Sequence, residues 1–323
     1  MSDKNYYKET EEAFRRKREA RESDRRARLE QVHITVPQLV EIDAALAKTG
    51  YKIMGGLREG ADVKEMTAAI KAENESLRQR RRELLKKNGY PEDYTDVKYD
   101  CEKCGDSGFV NLDMCSCMIK AVADARLADS DLGRLSETQN FESFDLTYYA
   151  EGAERATAYT IYEKLYSYAK DFNSKTEQGW LLLGGTGLGK THLSTAVGIE
   201  VIKRGYDVEY KTVQSLLDDF QAVQFRGGDV RGVDKYYDCD LLIVDDLGAE
   251  MSTQFTVSCI YNLINTRMNK RKPTIFSTNL SADEIRDRYG DRIVSRLLGE
   301  YQPLRFVGKD IRHQRLCRRR GKI

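Results

Sequence analysis

The sequence predicts an α/β fold with a five-stranded parallel sheet, preceded by a mainly helical N-terminal region and a small cysteine knuckle. Three observations carry this expectation. From about residue 151, short apolar runs alternate with helical periods, as a parallel sheet with crossover helices requires. A glycine-rich loop, Gly184 to Thr191, falls between one such run and one such helix. Four of the seven cysteines lie within the 17 positions from Cys101 to Cys117.

A chain of 323 residues has room for about two domains at the usual size of roughly 100–200 residues each. Hydrophobic residues make up 40% and charged residues 33%. The 53 Lys and Arg balance 52 Asp and Glu to a net charge of +1, so only local patches can speak for nucleic acid or membrane. No apolar stretch follows Met1 to Tyr7, and no run of about 18 apolar residues occurs, so neither a secretory signal nor a membrane helix is expected. Clustered cysteines in such a chain point to a reduced, cytoplasmic protein with a metal site, not to a disulfide framework.

Residues 1–95 form the first expected region, a helical one. Glu9 to Leu29 is dense in Arg and Glu, the pattern of a solvated helix. After Pro37, Leu39, Ile42, Ala45 and Leu46 share one helical face. In a third helix Val63, Ile70, Leu77 and Leu84 recur every seven residues. The alternate seam positions turn polar at Glu73 and Arg80, so a small helical bundle is expected and not a long coiled coil. Asn88-Gly89-Tyr90-Pro91 ends that helix. Residues 96–120 hold the knuckle, 121–150 read as a linker, and 151–323 form the α/β domain. Its strand candidates are Trp180–Leu183, Val208–Tyr210, Leu241–Val244, Thr274–Ser277 and Leu304–Val307.

The loop Gly184-Gly185-Thr186-Gly187-Leu188-Gly189-Lys190-Thr191 fits G-x-x-x-x-G-K-[ST] at every fixed position. Glycines let the backbone curl so that successive N–H groups point at phosphate oxygens, and the following helix adds its N-terminal dipole. Lys190 would reach the β and γ phosphates, and the Thr191 hydroxyl would ligate magnesium. A magnesium–ATP site needs a carboxylate at a nearby strand end, and Leu241-Leu-Ile-Val-Asp-Asp246 supplies two. Asp245 would hold the metal and Asp246 polarise the attacking water, with Glu250 as a stand-in base. Ile275-Phe-Ser-Thr-Asn279 ends a further apolar strand on an Asn that could orient water. Arg292 and Arg296 follow, one helical turn apart, as solvated surface residues or as an arginine finger for a neighbouring subunit.

Cys101-Glu-Lys-Cys104 and Cys115-Ser-Cys117 flank ten residues, a spacing that offers zinc four thiolates. A closed four-thiolate set leaves no open position, so the expected zinc is structural. Cys239, Cys259 and Cys317 are expected as core or surface thiols.

In this order the pieces resemble the AAA+ ATPases of the initiator and helicase-loader group, above all the DnaC/DnaI-type bacterial helicase loaders. The likeness runs over roughly residues 85 to 315. It is carried by Gly-Leu-Gly-Lys-Thr-His-Leu193, Asp-Asp-Leu-Gly-Ala-Glu250, Ser-Thr-Asn279, Arg-Ile-Val-Ser-Arg-Leu297 and Gly-Lys-Asp-Ile-Arg312. Tyr90-Pro-Glu-Asp-Tyr94, the stretch from Tyr99 to Cys104 and Asn140-Phe-Glu-Ser-Phe-Asp145 add to it. The resemblance implies that Asn279 is a sensor-1 residue, Arg296 a finger with Arg292 beside it, and Arg312 a sensor-2 arginine. Asp246 stands where many relatives carry Glu. His192 is the usual neighbour of the loop Thr, with packing or capping expected of it. The same resemblance implies ATP hydrolysis, a replicative DNA helicase held by the N-terminal region, single-stranded DNA, and self-association through the ATPase domain. Transposition helper ATPases share this core and are the nearest alternative, followed by a nucleotide-switched adaptor with little turnover. For DNA the sequence offers Lys211, Phe225, Arg226, Arg231 and Lys235, and a basic tail with Arg312, Arg315, Arg318, Arg319, Arg320 and Lys322.

Overall fold

The computed structural model describes residues 4–58, 63–175, 179–226 and 231–319. It divides into two compact units, Glu11–Cys115 and Met1–Thr10 with Ser116–Ile323.

The smaller unit is built on helix α1 (Lys4–Thr35) from Glu11 onward, α2 (Gln38–Arg58) and α3 (Val63–Lys87). Their apolar stripes meet in a core of Val32, Val36, Leu39, Ile42 and Leu85, with Leu46, Leu77 and Leu84 packed beside it. This is the expected small bundle; the side chains of Val63 and Met66 lie outside the described residues. Helix α3 stops where the sequence places its end. Gly89 takes φ +81°, its N–H bonds Lys86 O at 3.0 Å, and Tyr90 N–H bonds Leu85 O at 3.0 Å. That paired closure satisfies the last carbonyls, and the Tyr90 side chain packs on the same core.

Helix α1 is largely exposed, as its charge leads one to expect, but several of its basic side chains have partners. Lys17, Arg21, Arg25 and Arg28 recur at helical spacing and grip residues 94–100. Lys17 and Arg21 pair with Asp100 at 2.5 and 2.8 Å. Arg25 bonds Thr95 O at 3.1 Å, and Arg28 bonds Tyr94 O and Asp96 O at 2.8 and 2.9 Å. The basic ridge thus supplies donors to three backbone carbonyls and to the Asp100 carboxylate. A two-stranded hairpin, β1 (Phe109–Val110) with β2 (Asp113–Met114), follows.

The larger unit holds a five-stranded parallel sheet in the order β4-β5-β6-β3-β7. The strands are β3 (Gly179–Leu183), β4 (Val208–Thr212), β5 (Leu241–Leu247), β6 (Thr274–Thr278) and β7 (Tyr301–Arg305). Both faces are covered. Trp180, Leu182, Leu241 and Ile243 pack toward α5 (Ala153–Asp171) and α6 (Lys190–Lys203). Leu181, Leu183, Leu242 and Val244 pack toward α7 (Val213–Arg226), α8 (Arg231–Asp238), α9 (Gln254–Asn269), α10 (Ala282–Tyr289) and α11 (Asp291–Glu300). Successive residues thus feed opposite cores, which is why these strands read as continuous apolar runs.

Two expectations shift here. The last strand is Tyr301–Arg305 and not Leu304–Val307: Tyr301 and Leu304 carry its buried positions, and Phe306 follows it, its N–H bonding Leu183 O at 2.7 Å. Pro303 is tolerated because β7 is an edge strand. The stretch 121–150, expected as a linker, is structured. Helix α4 (Ser116–Asp129) runs into it, and Leu132, Phe141 and Tyr149 are buried. Their irregular spacing conceals that burial from a periodicity search.

Arg267 on α9 is fully buried. Its guanidinium donates to Thr274 Oγ1 at 2.7 Å, Pro273 O at 2.6 Å and Tyr236 O at 2.8 Å. It therefore closes the turns that lead into β5 and β6, the two strands whose far ends carry the acids and Asn279.

Candidate nucleotide site

The loop between β3 and α6 is shaped by its glycines. At Gly187 (φ +70°) an added Cβ would come within 2.1 Å of Asp310 Oδ1. At Gly189 (φ +89°), the residue capping α6, one would meet the Phe144 ring and the Tyr149 hydroxyl at 2.9 Å. Neither position admits a side chain. Tyr149 Oη donates to Leu188 O at 2.8 Å, which fixes the loop from outside.

Lys190 opens α6 and is buried. Its ammonium donates to Gly184 O and Gly185 O at 2.7 Å each and to Asn279 Oδ1 at 2.6 Å. Burial lowers its pKa, and the facing charges of Asp246 and Asp245 oppose that shift. Thr186 to His192, Asp246, Asn279 and Arg312 line one cleft, with Phe144, Tyr148 and Arg315 among its other walls. Asn279 therefore stands at Lys190, 89 positions away in sequence.

Asp245 and Asp246 are adjacent in β5, where strand alternation would send them to opposite faces. The register of β5 against β6 is broken between Val244 and Leu247, and Asp246 takes φ +56°. This bulge turns the Asp246 side chain into the cleft while Asp245 stays buried beside it. Asp is among the few non-glycine residues that adopt this conformation readily, whereas Glu is not. Burial raises the Asp246 pKa, and the negative charge of Asp245 adds to the rise. Glu250 is buried and committed elsewhere: it accepts from Gly248 N–H at 3.0 Å and from the Tyr289 hydroxyl, and Arg288 lies 3.6 Å away. Between the two candidate bases, the cleft holds Asp246.

Arg312 reaches the cleft because α12 (Ile311–Arg319) starts against the loop. Ile311 N–H bonds Gly187 O at 2.9 Å, and Asp310 caps the helix through Arg312 N–H at 2.8 Å. Arg292 is exposed and Arg296 half-buried on α11. Arg296 lies over the Tyr261 ring at 5.5 Å, and neither arginine is among the residues lining the cleft. His192 ties α6 to the segment before it: its Nε2 is 2.8 Å from Asn140 O and 3.3 Å from Ser143 Oγ. Burial lowers the His192 pKa, as fits a packing residue.

Sequence reasoning missed Tyr148 and Arg315 as cleft residues. The Tyr148 ring carries Arg315 at 5.7 Å and Arg318 at 4.4 Å, so part of the basic tail is spent on the cleft wall. Lys211 pairs with Asp131 at 2.8 Å and Lys235 with Glu209 at 3.1 Å. The side chains of Phe225, Arg226, Arg231 and Arg319, and all of Arg320 and Lys322, lie outside the described residues.

The sulfurs of Cys101, Cys104, Cys115 and Cys117 lie within 4.8 Å of one another, with Cys101 and Cys115 3.8 Å apart. A zinc–sulfur bond of about 2.3 Å in a tetrahedron sets sulfurs about 3.8 Å apart, so the set fits zinc. Asp106, itself buried, accepts from the N–H groups of Asp100 and Cys101 at 3.0 and 2.8 Å and holds the first turn. For magnesium the cleft wall offers Thr191 and Asp246. Asp245 is not among the residues that line it, but is buried directly behind Asp246 as a carboxylate with no basic side chain within ion-pair range among the described residues.

A family model described as IstB-like ATP binding protein matches residues 120–302, more than half of the chain. The chain belongs to the IstB-like ATP-binding protein family. The matched domain carries the P-loop and the parallel sheet flanked by helices described above. Among curated relatives, the chromosomal replication initiator protein DnaA of Aliarcobacter butzleri is 31% identical over 36% of this chain and 26% of its own length. The replicative helicase loader DnaC of Buchnera aphidicola is 26% identical over 40% of this chain and 54% of its own. The chain thus spans about a quarter to a half of these relatives. A crystal structure of the DnaC helicase loader aligns with a TM-score of 0.47 at 21% identity, over 52% of this chain and 97% of that one. No helix among the described residues is long and apolar enough to cross a membrane.

Proposed function

We propose that the protein is an ATP-hydrolysing loader that places a ring-shaped replicative helicase on single-stranded DNA. One observation carries the reading: a single cleft gathers Lys190, Thr191, Asp246, Asn279 and Arg312, yet both candidate finger arginines stand outside it. A site so divided suits an enzyme that hydrolyses ATP only when a second copy completes it. Similarity to a replicative helicase loader supports the choice of cargo.

In this reading the loop N–H groups and Lys190 bind the triphosphate, and Lys190 exchanges its carbonyl partners for phosphate oxygens. Release of Asn279 Oδ1 from Lys190 in the same exchange frees it to orient the attacking water. Asp246 accepts the water's proton, and its raised pKa suits it to that task. Thr191 and Asp245 would hold magnesium, which would supply neutralisation of developing phosphate charge. Arg312 contacts the phosphates from α12, and Arg296, with Arg292 beside it, enters a neighbour's cleft. Residues 1–95 hold the helicase, 96–120 form a structural zinc knuckle, and the ATPase domain of 151–323 takes in the structured stretch 121–150 before it.

Transposition assistance is the second reading, because the matching family is described as IstB-like. The residues of the knuckle lie before that match, and no part of the helper reading uses them. Affinity capture with the tagged full chain, with ATP present, tests the cargo. Recovery of the replicative helicase is the expected result; recovery of a transposase, or of neither, would overturn the loader reading.

A further inference from the structure

Asp245 is 2% exposed, and both of its carboxylate oxygens are already addressed by neutral hydroxyls. Tyr210 on β4 donates to Oδ2 at 2.8 Å, and Ser277 on β6 donates to Oδ1. The Asp is thus flanked by one hydroxyl from each neighbouring strand. In the register of β4 against β5, Tyr210 stands opposite Ile243, and Thr212 stands opposite Asp245. Tyr210 therefore reaches along the sheet by about two residues, roughly 7 Å, which its phenol spans and a shorter side chain would not.

Its ring is packed against the core that holds α6, so the hydroxyl is held on a rigid body. Ser277 serves both acids: its Oγ also accepts from Asp246 N–H at 3.0 Å, within the bulge. Tyr210 touches Asp245 alone of the two, and it comes from the edge strand of the sheet.

We infer that Tyr210 is the positioning residue of Asp245, fixing the orientation of its carboxylate behind the cleft wall. The inference rests on the reading of Asp245 as the metal-side acid. Each carboxylate oxygen has two acceptor positions, and a hydroxyl donor occupies one on each. Hydrogen-bonded partners of a ligating carboxylate orient it, and their loss commonly costs about 10- to 100-fold in metal affinity. Phe at 210 keeps the ring and its packing and removes only the donor.

The test is manganese binding to the full chain with a non-hydrolysable ATP analogue, read from the spin-resonance signal of free Mn2+. Wild type is compared with Tyr210→Phe and Asp245→Asn, and metal-free binding of the analogue is measured in parallel. Tyr210→Phe is expected to weaken Mn2+ binding about 10- to 100-fold while metal-free analogue binding and the melting temperature stay near wild type. Wild-type Mn2+ affinity in Tyr210→Phe, with Asp245→Asn impaired, would overturn the role of Tyr210 and leave Asp245 as assigned. Unchanged affinity in Asp245→Asn would overturn the assignment of Asp245 itself. Equal loss of metal-free analogue binding in Tyr210→Phe would show a structural effect on the loop and also overturn the proposal.

Discussion

Replacing Lys190 with alanine is expected to weaken ATP binding by about 100-fold or more and to abolish turnover. A hydrogen bond to a charged group contributes about 1.5–3 kcal/mol, and each 1.4 kcal/mol is about tenfold in affinity. Lys190 has three donors, all engaged by Gly184 O, Gly185 O and Asn279 in the free chain. It can therefore offer at least two to the triphosphate. Of the residues it leaves behind, Gly185 and Asn279 are exposed and Gly184 half-buried, so water can satisfy them and the variant should keep its fold. Calorimetric titration with ATP, beside a thermal melt, checks both points. Tight binding by a folded Lys190→Ala chain would contradict the assignment of the loop.

Arg296→Ala is expected to leave ATP affinity unchanged and to lower turnover by about 10³- to 10⁵-fold, the usual range for a lost arginine finger. The separation of effects follows from position. Arg296 rests over Tyr261 and does not line its own chain's cleft, so it has nothing to contribute to binding there. Mixing the two variants gives the decisive readout. A Lys190→Ala chain supplies an intact Arg296 to a neighbour whose own cleft is sound but whose finger is missing. Partial recovery of turnover in the mixture is expected. No recovery at any ratio, with both chains still assembling, would show that the finger does not act across subunits.

What the sequence made legible, and what it concealed, follows from the range of the interactions involved. Gly184 to Thr191 is readable because its chemistry is contiguous: the glycines, the lysine and the helix start all lie within eight residues. The buried strands are readable because both faces of the sheet are covered, so no polar residue interrupts Leu241 to Val244. The end of α3 is readable because Gly89 and Pro91 act on the local backbone. The function of Arg21, Arg25 and Arg28 is concealed, because their partners lie 66 to 79 positions away. The direction of Asp246 is concealed too, since alternation gives it the wrong face and only a bulge with a positive φ corrects it. Tyr148 and Arg315 escaped notice because cleft walls at that end come from two distant segments with no shared motif. Leu304 to Val307 looked like a strand on its apolar content, but pairing with β3 begins at Tyr301, directly after α11.

The loader account rests on ATP turnover being tied to DNA and to assembly. Its most direct test is steady-state hydrolysis by the purified full chain with and without single-stranded DNA, with assembly followed by sedimentation under the same conditions. The account predicts that single-stranded DNA changes turnover several-fold and, with ATP, shifts the chain to larger assemblies. If DNA alters neither, while ATP still binds, the chain is a nucleotide-binding protein of another purpose.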